Sequence, residues 1–76
     1  MSIPDEVGRK IVSLRKQRKM SQEYLALYSD ISVTYLRDIE HGTANPSLLV
    51  LSKLAQTLNV PVSELLAENL PQSCTI

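Results

Sequence analysis

Residues 21–42 read SQEYLALYSDISVTYLRDIEHG, two short helical patterns with a tight turn between them. Ser21 is an N-cap residue by type, and Gln22 and Glu23 follow in the first turn, where a carboxylate favours the positive end of a helix. Leu25, Ala26 and Ser29 share one face, so the first of these helices has an inner side. The period breaks at Ser29-Asp30-Ile31-Ser32. Ser32 is then placed to cap a second helix with Tyr35, Leu36 and Ile39 inward, and Gly42 supplies its stop. Val33, Thr34, Arg37, Asp38 and His41 fall on the opposite side. So short a turn fixes the crossing of the two helices. The outward set is small, polar and hydrogen-bonding, a composition that can meet base edges in a DNA major groove.

The flanking chain supplies further helices. Pro4 suits a first helical turn, Asp5 and Glu6 suit its dipole, and Val7, Ile11 and Leu14 make a narrow inner stripe. This helix is expected from residue 4 or 5 to about Lys19, with Gly8 inside it at a cost of up to about 1 kcal/mol against alanine. Downstream, Thr43-Ala44-Asn45-Pro46 reads as loop, with Asn45 the expected cap and Pro46 at the first helical position. A fourth helix is expected over Ser47 to Leu58, its core stripe Leu48, Leu51, Leu54, Ala55 and Leu58. After Asn59-Val60-Pro61 a short fifth helix runs from Val62 to about Glu68. The expected organisation is one domain, residues 1–69, and a mobile tail, residues 70–76.

LALYSDISVTYLRDIEHG resembles the helix-turn-helix of phage-repressor and Cro-type (XRE-like) regulators, a family that includes controller proteins of restriction-modification systems. VGRKIVSLRKQRKMSQ resembles the family's first helix and NPSLLVLSKLAQTLNVPVSELL its fourth and fifth, so the likeness covers roughly residues 5 to 67. It implies an all-α, compact five-helix fold of the lambda-repressor-like type. It also implies that Arg15 pairs with Glu40, which ends the recognition helix, and that Val33, Thr34 and Asp38 match base-reading positions. Two departures stand out. Lys19 occupies a position where most relatives carry glycine, and Val33 one where many controller-type relatives carry arginine.

By chemistry, Thr34 and Arg37 can donate to base acceptors, Val33 can pack on a thymine methyl, and Asp38 can accept from cytosine or orient Arg37 or His41. Gln22, Ser32, Tyr35, Thr43 and Asn45 stand at helix starts or in the loop, where amides and side chains hold phosphates or simply cap. The net charge is zero, but Arg9, Lys10, Arg15, Lys16, Arg18 and Lys19 stand together with no acid between them. Arg18 and Lys19 are accordingly assigned to phosphate.

A chain of 76 residues is near the size at which a core is only just sufficient, and a partner subunit would help it. Leu49 and Val50 take outward positions and, with Val62, Leu66 and Leu70, make an apolar set expected to form a twofold dimer interface. Tyr24 and Leu27 also point outward. The lone cysteine, Cys74, fits a reducing compartment, and neither a membrane span nor a secretory signal is visible, so a cytoplasmic location is expected. His41 has no companion ligand at metal-site spacing, and no Gly-rich phosphate loop or catalytic grouping appears. The sequence therefore predicts no enzyme, cofactor, metal or evident small-molecule ligand, but a homodimeric regulator of transcription on double-stranded DNA. The alternative is a protein-protein adaptor, an anti-repressor or toxin-binding partner, using the same fold through its apolar patch.

Overall fold

The computed structural model describes the backbone of residues 3–66 and side chains from residue 6 onward. It consists of α1 (Ile3–Gln17), α2 (Gln22–Tyr28), α3 (Val33–Glu40), α4 (Leu48–Leu58) and α5 (Val62–Leu66). The expected tail, Leu70 and Cys74 lie outside the described residues, as do Ala67 and Glu68 at the end of the expected fifth helix.

One serine device starts three of these helices. Ser21, Ser32 and Ser47 have extended backbones, and each Oγ accepts from the N–H three residues on, of Tyr24, Tyr35 and Val50, at 3.0, 3.0 and 3.2 Å. Each cap satisfies an otherwise orphaned donor and stabilises by about 1 kcal/mol. For α4 this corrects the expected Asn45 cap and Pro46 start. Serine at 47 captures the amide, and both earlier residues remain in the loop.

A second device ends four helices. Lys19, Asp30, Gly42 and Asn59 all take positive φ, at 57, 60, 81 and 61°. In each case the next amide reaches back to a carbonyl one turn inside the helix: Met20 to Arg15 at 3.0 Å, Ile31 to Ala26 at 3.1 Å, Thr43 to Asp38 at 2.9 Å and Val60 to Ala55 at 3.0 Å. Such closures satisfy carbonyls that the helix leaves open, and an apolar residue after the turn commonly packs back. Met20, Ile31 and Val60 do pack against the core. Only one of the four left-handed positions is glycine. Lys19 keeps the turn despite a cost on the order of 1 kcal/mol, and α1 itself closes at Gln17.

The core is one cluster: Val7, Ile11 and Leu14 from α1, Leu25 and Ala26 from α2, Leu36 and Ile39 from α3, Leu51, Leu54, Ala55 and Leu58 from α4, and Leu65 from α5. Gly8 explains how α1 and α3 approach so closely. A Cβ there would run into the carbonyl oxygens of Ile39 and Glu40, the latter at 2.8 Å, and backbone cannot swing aside. Where the end of α2 meets α4, a polar contact joins the apolar one. Buried Ser29 donates to Thr57 Oγ1 at 3.0 Å, and that hydroxyl donates to the Tyr28 carbonyl at 3.0 Å, so neither hydroxyl is left without a partner.

The expected α4 stripe runs one turn too far. Leu48 is 66% exposed, because a helical period fixes the direction of a side chain but not whether a neighbour covers that turn. Val50, expected outward, is half-buried against the core, and Tyr35, expected inward, is only half-buried.

Candidate nucleic-acid interface

α3 divides its residues sharply. Leu36, Ile39 and Glu40 are buried, while Thr34, Arg37, Asp38 and His41 are exposed and Val33 is half-buried against the core. The helix is held from behind by an ionic centre. Arg15 Nε donates to Glu40 Oε2 at 2.8 Å and Nη2 to Oε1 at 3.2 Å, a two-point pairing, while Nη1 donates to the Met20 carbonyl at 3.0 Å. The side chains are 12% and 4% exposed, so removing either would strand the other out of water. Each of the three Arg15 guanidinium nitrogens donates a hydrogen bond within the protein.

Glu40 has a further partner that sequence reasoning missed. Gln22 Nε2, at the start of α2, donates to Glu40 Oε1 at 2.8 Å, and Gln22 Oε1 accepts from Arg37 Nε at 3.1 Å. Arg37 Nη2 lies 3.7 Å from Glu23 Oε2. Arg37 is thus oriented from α2, not by Asp38. The Asp38 carboxylate has no ion pair with Arg37, His41 or any other described residue. The one available signal was a capping-turn glutamine near a glutamate already paired through the family resemblance.

The expected phosphate residues are placed in three ways. Arg18 and Lys19 are exposed and, like Lys16, have no acidic partner among the described residues. Arg18 and Lys19 border an open cleft of about 430 Å³, lined also by Met20, Ser21 and Tyr24. Ser32 spends a lone pair on its cap and keeps its hydroxyl hydrogen to donate. Thr43 donates its hydroxyl to the Asp38 carbonyl at 3.1 Å, so it closes the end of α3, and Asn45 is exposed in the loop. The basic run is partly neutralised by distant acids, since Lys10 Nζ pairs with Glu64 at 3.4 Å and Arg15 with Glu40.

A family model described as helix-turn-helix matches residues 11–65. The chain belongs to this helix-turn-helix family. It is 42% identical over 62 residues to an immunity repressor protein of Bacillus phage phi105, across 82% of this chain and 43% of that protein. It is 42% identical over 60 residues to the control protein C.BamHI of Bacillus amyloliquefaciens, across 78% of this chain and 74% of that one. The chain therefore spans less than half of the phage repressor but most of the control protein. Its fold matches the restriction-modification controller protein C.AhdI from Aeromonas hydrophila with a TM-score of 0.80 at 34% identity, covering 82% of this chain and 94% of that one. This helix-turn-helix protein shares the five-helix, all-α architecture that the resemblance implied, and its family is one of transcriptional regulators. No helix among the described residues is long and apolar enough to cross a membrane.

Proposed function

We propose that the protein regulates transcription in the cytoplasm by binding a near-palindromic site on double-stranded DNA as a homodimer. The observation that carries this is the division of α3: Leu36, Ile39 and Glu40 fix the helix to the core, and Thr34, Arg37 and Asp38 are exposed on the other side. In this reading Thr34 and Arg37 donate to base acceptors, Asp38 accepts from cytosine, and the exposed part of Val33 meets a thymine methyl. Arg18, Lys19, Ser32, Tyr35 and Asn45 hold phosphates. Gln22 and Thr43 contribute less, because their side-chain donors are already engaged within the protein.

Selection of bound duplexes from a random pool tests the reading. It should enrich a near-palindrome with half-sites about 34 Å apart, one helical turn, as two symmetry-related recognition helices require. Recovery of unenriched duplexes would overturn it and favour the adaptor reading.

The dimer is assigned to an apolar set made of Leu49, which is 66% exposed at the start of α4, and of Val50, Val62 and Leu66, each half-buried against the core, with Leu70 outside the described residues. Leu49→Glu places a charge in that interface. The variant should sediment as a folded monomer, and the log-log salt slope of DNA binding should fall to about half, near −4 for about four phosphate contacts. An unchanged oligomer would place the interface elsewhere.

A further inference from the structure

The chain Arg15–Glu40–Gln22–Arg37 has a fixed polarity. A carboxylate accepts hydrogen bonds and a guanidinium only donates, so a group joining Glu40 to Arg37 must donate at one end and accept at the other. A side-chain amide does both. Gln22 meets Glu40 through Nε2 at 2.8 Å and Arg37 through Oε1 at 3.1 Å, and a flipped amide would set acceptor against acceptor and donor against donor. The amide orientation is therefore dictated by Glu40, itself fixed by Arg15 at 2.8 Å. Glutamate at position 22 would lack the donor and lysine the acceptor.

The consequence falls on Arg37. Nε and Nη2 form one edge of its guanidinium, and this edge is turned to Gln22 Oε1 and, 3.7 Å away, to Glu23 Oε2. The other edge, Nη1 with the second hydrogen of Nη2, has no partner among the described residues. Two parallel donors are the match for guanine O6 and N7.

We propose that Gln22 is a positioning residue that presents the Nη1–Nη2 edge of Arg37 to a guanine, making this side-chain chain a specificity determinant. The proposal rests on the DNA-binding reading above and deepens it. Its energetic logic is preorganisation: the Arg37 side chain is 49% exposed, and without the amide it would be ordered only on binding.

The test uses the selected duplex with 7-deazaguanine, which lacks the N7 acceptor, replacing one guanine at a time. Wild type should lose about tenfold in affinity at one guanine of each half-site. Arg37→Ala should lose that sensitivity, and Gln22→Met should reduce it to about threefold or less, while Glu23→Gln, which keeps an acceptor, should preserve it. A phosphate role for Gln22 would instead weaken all duplexes alike and leave the 7-deaza ratio intact, which would overturn the proposal. Absence of any Arg37-dependent guanine would overturn it too, whereas failure to enrich any duplex would remove the DNA-binding reading itself. Should Gln22→Met fold poorly, ¹⁵N spectra of free wild type decide: a resolved, exchange-protected Arg37 Nε–H supports the contact, and a freely exchanging one refutes it.

Discussion

Arg15 and Arg37 stand on either side of the same glutamate and glutamine, yet the fold treats them oppositely. Arg15 is 12% exposed, and each of its three guanidinium nitrogens donates to Glu40 or to the Met20 carbonyl. Arg37 is 49% exposed and engaged along one edge only. Neither charge nor residue type separates them. What separates them is desolvation: a guanidinium largely out of water needs a carboxylate partner to be tolerated, whereas one at the surface can keep a whole edge of donors in reserve. The first kind belongs to architecture and the second is available for recognition.

Removing the inner arginine should have the largest effect. Arg15→Ala strands the buried Glu40 carboxylate and should lower unfolding stability by about 3 kcal/mol, measured by chemical denaturation. Arg15→Met combined with Glu40→Leu should recover part of that loss, because an apolar pair leaves no charge uncompensated. A melt that barely moves for Arg15→Ala would erase the distinction between the two arginines.

Next comes the helix crossing that brings the pair together. Gly8→Ala pushes a methyl into the carbonyls of Ile39 and Glu40, so α1 must back away from α3. A loss of about 2 kcal/mol is expected, in the range of overpacked interiors. An unchanged unfolding midpoint would show that the crossing is looser than the Arg15–Glu40 geometry requires.

The smallest effect concerns the end of α1. Lys19→Gly relieves the left-handed strain at φ 57° and should raise stability by about 1 kcal/mol. Under the phosphate assignment, the same change should reduce the salt slope by about one unit per subunit. A gain in stability with no change in slope would mark Lys19 as a solvated charge and nothing more.

These contrasts bear on what sequence could reveal. The stripe Val7, Ile11 and Leu14 and the turn at Gly42 were legible because local period and local chemistry decide them. The exposure of Leu48 is not legible in the sequence, because coverage of a helical turn is a tertiary property. Ser47 displaced Asn45 as a cap because neighbouring polar residues offer equivalent chemistry, and the choice is made by where the chain enters the core. The Arg15–Glu40 pair is legible through family resemblance, not through charge pattern. The bridge through Gln22 joins positions 18 and 15 residues apart, so it emerges only once α2 is laid against α3.

The division between the arginines is tested most directly by the ratio of affinities for the selected duplex and a random duplex, in wild type and in Arg37→Ala. If Arg37 reads a base, the variant should lose about 1 to 3 kcal/mol on the selected duplex, keep its non-specific binding, and unfold as wild type does within about 0.5 kcal/mol. Equal losses on both duplexes would contradict the account and return Arg37 to the phosphate backbone.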